Sequence, residues 1–224
     1  MVEHRGTSGI VLAANLKALI SLAQRADGVI EFVPRIGDFV AVGEPLFRLY
    51  GAAAQIEDNI LRAQVALGPE RTIEQDSTFA FRVIIDIGIK ALSPAINDPT
   101  TAVLAIDQIH RLLRQAGQRQ LHGDMYYDSN AVLRLVFHTP NWEEFVELAL
   151  SEIRLYGAGN FQIARRLRAM IVNLSENLPE ARQPALRREL DLLDLTLQTA
   201  YKFPEDLALA RQPDSQGLGG AARP

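Results

Sequence analysis

The chain of 224 residues contains no cysteine. Disulfides, thiolate nucleophiles and zinc–thiolate sites are therefore excluded together. Lysine is scarce as well. Lys17, Lys90 and Lys202 are the only three, and arginine carries the rest of the positive charge. The net charge is −4 and the pI about 5.6, which argues against a general affinity for nucleic acid, whose binding needs a positive field. No stretch of about 18 apolar residues occurs, and the start Met1-Val2-Glu3-His4-Arg5 lacks the apolar core of a signal peptide. A cytoplasmic location is the expectation. The four histidines form no His-x-x-x-His pair, the glycines form no phosphate loop, and Asp124, Asp128 and Asn130 are too loosely spaced for a calcium loop. No metal and no cofactor is expected.

What is present is an ordinary folded composition, 48% hydrophobic and 22% charged. The fold class expected is α+β, mostly α. Residues 1–52 read as a small β-rich module, with strands near Ile10, Val29, Val40 and Leu46 and one helix capped by Asn15. Residues 53–203 read as a helical domain, with a hairpin near 120–137 turning at Asp128-Ser129-Asn130. Helical periodicity predicts helices over 53–66 and 77–92, one from Pro99 to about Gly117, and three more up to Tyr201. Starts are marked by Asp98-Pro99, Thr139-Pro140 and Asn160. Residues 204–224 lose periodicity and read as a disordered tail.

The helix at 77–92 is apolar around most of its girth, with Phe79, Phe81, Val83, Ile84, Ile85, Ile87 and Ile89. Such a helix is expected at the centre of the domain, covered on nearly every side, with Arg82, Asp86 and Lys90 on one charged stripe. Arg165-Arg166-Leu167-Arg168 reads as a solvated basic face, and Asp107 with His110 as a solvated helix pair.

Two polar blocks flank this helix. Arg71-Thr72-Ile73-Glu74-Gln75-Asp76 precedes it, with Asp76 or Thr72 as its cap. Ser93-Pro94-Ala95-Ile96-Asn97-Asp98-Pro99 follows it, a loop stiffened by two prolines. Arg71, Thr72, Asp76, Ser93, Asn97, Asp98 and Thr100 are the candidate ligand- or partner-binding residues. The blocks lie at opposite ends of one helix, roughly 24 Å apart for 16 residues, so one simple pocket does not use both unless a second subunit brings them together. No nucleophile with a base at fixed spacing is present, and no catalytic residue is assigned. The function expected is a non-enzymatic binding or interaction domain, sensory or scaffolding, that self-associates. The alternatives are a hydrolase-like enzyme with Arg71, Asp76 and Asp98 assembled at a subunit interface, and a partner for a membrane protein.

The segment Asp27–Leu46 resembles the strand–turn–strand half of a biotinyl/lipoyl barrel-sandwich, without the lysine that carries the cofactor there. More specifically, RTIEQDSTFAFRVIIDIGIKALSPAINDPTTAVLAIDQIHRLL, residues 71–113, resembles the signature of domain-of-unknown-function family 2254, bacterial predicted membrane proteins. Gly37-Asp38-Phe39-Val40 and Ile153-Arg154-Leu155-Tyr156-Gly157 fit it too, and the resemblance covers about residues 8–180. It implies a soluble domain attached to transmembrane helices, with membrane association and no assigned activity. The transmembrane part is missing from this chain.

Overall fold

The computed structural model describes residues 1–219. The fold is α+β and mostly α, with eight strands and eight α-helices among the described residues. It divides into two compact units. One is β-rich and consists of Met1–Phe79 with His122–Pro140. The other is helical and consists of Ala80–Leu121 with the described chain from Asn141 onward.

The β-rich unit holds strands β1 (Val2–Glu3), β2 (Gly9–Ala14), β3 (Gly28–Phe32), β4 (Phe39–Val40), β5 (Pro45–Gly51), β6 (Val65–Gly68), β7 (Met125–Tyr127) and β8 (Leu133–Phe137). Five form a sheet in the order β1-β5-β3-β8-β7, and three form a sheet in the order β4-β2-β6. Helix α1 (Leu16–Ala26) starts where Asn15 accepts the amide hydrogen of Ala18 and stops at Asp27, which turns left-handed with φ of 51°. Its Leu19 and Ala23 are buried in the same core as Ile30, Phe32, Phe47, Leu135 and Phe137. Each of the larger side chains contributes about 1.5–3 kcal/mol by leaving water.

The hairpin was expected within the helical domain. Instead β8 pairs parallel to β3, Ile30 opposite Leu135, so the β-rich unit is built from two separated pieces of chain. The alternation explains this pairing. Ile30 and Phe32 on one strand, and Leu135 and Phe137 on the other, bury the same face, with the rings of Phe32 and Phe137 stacked at 5.5 Å. Buried Arg134 donates to Asp128 (2.8 Å) and Asp27 (3.0 Å), tying the hairpin to the end of α1. The helix expected over 53–66 is likewise replaced. A 3-10 turn (Ala52–Gln55) and a short helix α2 (Asp58–Arg62) lead into β6, which pairs with β2. Sheet pairing across some fifty residues of sequence overrides local helix propensity there.

The remaining helices are α3 (Ser77–Ala91), α4 (Pro99–Gln118), α5 (Trp142–Gly157), α6 (Phe161–Asn177), α7 (Gln183–Ala200) and α8 (Pro204–Ala210). Asp98 caps α4 and Asn160 caps α6 as the sequence suggests. Helix α5 starts differently from the Thr139-Pro140 expectation. Asn141 and Glu144 form a reciprocal capping box, and Trp142 is the first helical residue. The helical core gathers Ile106, Ile109 and Leu113 of α4, Trp142, Phe145 and Ile153 of α5, Leu167 and Met170 of α6, and Leu186, Leu193 and Leu197 of α7.

The tail departs from the expected disorder over 204–219. After α8 the carboxylate of Asp214 accepts the amide hydrogens of Gln216, Gly217 and Gly219. Arg165, almost fully buried, donates to the carbonyls of Gln212 and Gly219. Residues 220–224 of the expected tail lie outside the described residues.

Candidate functional site

The Arg71–Asp76 block belongs to the β-rich unit. Asp76 is the cap of α3: its Oδ1 accepts from the amide of Phe79 (3.0 Å) and the hydroxyl of Thr78 (2.5 Å). Its Oδ2 forms an ion pair with Arg71 Nε at 3.1 Å, and the residue is only 4% exposed. The Arg71 guanidinium also lies 5.7 Å over the ring of Phe79. Gln75 Oε1 accepts the amide hydrogen of Ala14 (3.2 Å). Gly37 completes the arrangement. With φ of +91° it occupies a conformation that side chains avoid, and a Cβ there would lie 2.3 Å from both Arg71 Nη2 and Asp76 Oδ2. The block therefore seats the start of α3 against the turn at residues 36–38. Thr72 is not the cap; its hydroxyl is buried with no hydrogen-bond partner among the described residues.

The Ser93–Pro99 corner belongs to the helical unit and satisfies itself. Ser93 Oγ donates to the carbonyl of Lys90 (2.7 Å), and the Ser93 carbonyl accepts the amides of Ile96 (3.0 Å) and Asn97 (2.8 Å). Asn97 turns left-handed, φ of 46°, a conformation that asparagine tolerates better than most residues. The amide of Asp98 donates to Ala91 O (2.8 Å), closing the corner. The Asp98 carboxylate accepts from the hydroxyl and the amide of Thr101, and these bonds hold its pKa below the usual carboxylate value. Thr100 is exposed beside it. Arg71, Thr72 and Asp76 thus come together in one unit, and Ser93, Asn97, Asp98 and Thr100 in the other.

Two further expectations are corrected in the helical unit. The run Arg165–Arg168 is not a solvated face. Arg165 and Arg166 are buried, Arg166 Nε donates to Asp107 Oδ1 (2.7 Å), and Arg168 pairs with Asp194. Asp107 and His110 are not a solvated pair. His110 Nε2 meets Asn173 Oδ1 at 2.9 Å, and Nδ1 faces Arg166 Nη2 at 3.3 Å. Burial, with Arg166 and Arg114 close by, lowers the His110 pKa. The neutral ring donates to Asn173 through Nε2–H and accepts from Arg166 at Nδ1. Among the described residues no group of three or more acidic, histidine or cysteine side chains is placed to hold a metal.

Sequence reasoning also missed the exposure of α3. Gly88 faces Ala105 of α4 and Ile153 of α5. The opposite side of the helix carries Val83 (43% exposed), Ile87 (50%), Asp86 and Lys90. The helix is therefore not covered on nearly every side. Ile96 at the corner (49%) and Leu104 on α4 (59%) add to the exposed aliphatic surface of this unit. Composition made α3 look central, and only tertiary packing reveals which side is left open.

Comparison with known proteins places these features in a family. The chain is 25% identical to the uncharacterized proteins Rv1290c of Mycobacterium tuberculosis (strain H37Rv) and Mb1321c of Mycobacterium bovis. The alignments cover 96% of this chain but only 42% of either relative, so the chain spans less than half of their length. No solved structure matches. Among the described residues no helix is long and apolar enough to cross a membrane. The family described as Predicted membrane protein (DUF2254) matches residues 2–173, including both polar blocks and the helix between them, and the chain belongs to that family.

Proposed function

We propose that the chain is a non-catalytic interaction domain whose helical unit pairs with a second copy of itself through the open side of α3. The observation that carries this reading is the exposure of Val83 and Ile87 on a helix whose other apolar side chains are packed. Exposed aliphatic surface of this kind marks interaction faces when it is contiguous. The charges on the same side fit a second copy. In an antiparallel pair with its twofold axis level with Gly88, Asp86 of each copy faces Lys90 of the other, as an isologous interface requires. Lys90 has no ion-pair partner among the described residues, whereas Asp86 is bonded to Arg82. The hydrolase alternative gains no support from the geometry. Asp76 and Asp98 each cap a helix, and Arg71 is engaged by Asp76 and Phe79.

Size-exclusion chromatography with light scattering tests the proposal. The wild-type chain is expected to run at twice the chain mass, and Ile87→Glu at the chain mass with its helical circular dichroism intact. A wild-type chain that stays monomeric at every concentration overturns the reading.

A further inference from the structure

We propose that His110 is an acid-sensitive latch: a proton at its Nδ1 breaks the contact with Arg166 and loosens the strap of residues 212–219 that Arg166 helps to seat. The two ring nitrogens have different partners. Nε2 meets Asn173 Oδ1 at 2.9 Å, and Arg114 Nη1 donates to the same oxygen at 3.5 Å, which fixes that atom as an acceptor. Nε2 therefore carries the hydrogen, and the neutral ring keeps its lone pair at Nδ1. There it accepts from Arg166 Nη2 at 3.3 Å. A guanidinium has only donors, so a proton at Nδ1 sets N–H against N–H and places two positive groups side by side. The Asn173 contact suits either form of the ring, and the Arg166 contact suits only the neutral one.

Arg166 connects the ring to the strap. Gly217 sits so close to α4 and α6 that a Cβ there would lie 2.6 Å from Val103 Cγ1 and 3.2 Å from Arg166 Cδ. Gln162 Nε2 donates to the Gly217 carbonyl at 2.6 Å, and the Asp214 amide donates to the Arg165 carbonyl at 3.1 Å. A shift of the Arg166 side chain thus moves the floor under Gly217. The charges acting on His110 are Arg166 of α6 and Arg114 and Asp107 of its own helix. Asp107 alone favours the proton, and Arg166 Nε already bonds to it at 2.7 Å. Burial leads the two arginines in lowering the His110 pKa, so the latch is closed above the ordinary histidine value and opens as pH falls through the lowered one. Asp214 does not titrate in that window. Burial raises its pKa, but the amides of Gly219, Gly217 and Gln216 and the charge of Arg165 outweigh this and hold it below the usual carboxylate value. The other three histidines, His4, His122 and His138, belong to the β-rich unit. The inference is independent of self-association through α3.

NMR titration between about pH 7.5 and about pH 5, a span that brackets the ordinary histidine value of about 6.5, tests this. The His110 ring shift reads the proton. Protection of the Asp214 amide against hydrogen exchange, corrected for the intrinsic pH dependence, reads the seating of the strap. The His110 midpoint is expected below the ordinary value. Asp214 protection is expected to fall about tenfold or more through that same midpoint, the effect of one hydrogen bond to a charged group. His110→Gln keeps a donor for Asn173 and an acceptor for Arg166 but does not titrate, and its Asp214 protection is expected to stay flat. Coincidence of the two midpoints in the wild-type chain is the test even where that variant unfolds. A His110 midpoint at or above the ordinary value, an Asp214 amide that stays protected while His110 titrates, or the same loss in His110→Gln overturns the proposal.

Discussion

The two polar blocks that flank α3 each end in an aspartate that caps a helix, yet they stand in opposite physical situations. In the first, Asp76 is buried and binds two donors of its own helix start, a guanidinium and, through van der Waals contact, a glycine from a distant turn. In the second, the hydrogen bonds of Ser93, of the Asn97 and Asp98 amides and of the Asp98 carboxylate all go to groups within a few residues along the chain, and Pro94, Ala95, Ile96 and Asn97 face solvent. The first block ties sequence-distant pieces of the β-rich unit together. The second only turns the chain and caps α4. Polarity in a sequence signature does not by itself distinguish these roles; the difference lies in whether the partners are local or distant.

This contrast orders the expected effects of substitution. Gly37→Ala is expected to cost the most, about 3 kcal/mol, because it combines backbone strain with displacement of the Arg71–Asp76 pair. Chemical denaturation of the variant measures it. A loss below that of an ordinary surface substitution would break the account of the first block. Asp76→Ala is expected to cost about 2 kcal/mol, as a lost helix cap that also leaves Arg71 without its carboxylate. The matched Asp98→Ala removes a half-buried cap with no ion-pair partner among the described residues, and its Tm should fall less. Equal falls in Tm for the pair would erase the distinction between the blocks. Smallest is Asn97. Asn97→Ala is expected to cost about 1 kcal/mol and Asn97→Gly close to nothing, since only the left-handed backbone is at stake. If Asn97→Gly instead destabilises the fold like alanine, the side chain has a role beyond the turn.

Much of the local structure was legible in the sequence. Asn15, Asp98 and Asn160 announce helix starts because capping depends on groups two or three residues away. The pairing of β8 with β3 and of β6 with β2 was not, since strand partners are chosen by a shared buried face rather than by nearby residues. The basic run misled for the same reason. Arg165, Arg166 and Arg168 meet partners supplied by residues 212, 107 and 194, and nothing adjacent in sequence announces them. Of the candidate site, the blocks themselves were visible, and so was Asp98 as a cap. The contact of Gly37 with Arg71 and Asp76, the open side of α3 and the contact of His110 with Arg166 depend on tertiary packing.

The absence of cysteine makes the central claim of pairing through α3 directly testable, because a single introduced thiol finds a partner only in another copy. Ile87→Cys lies close to the proposed twofold axis, and Arg187→Cys, exposed on α7, serves as the control. Under mild oxidation Ile87→Cys is expected to give a covalent dimer, read on a non-reducing gel, while Arg187→Cys stays monomeric. Equal cross-linking at both positions, or none at Ile87→Cys, would contradict the account.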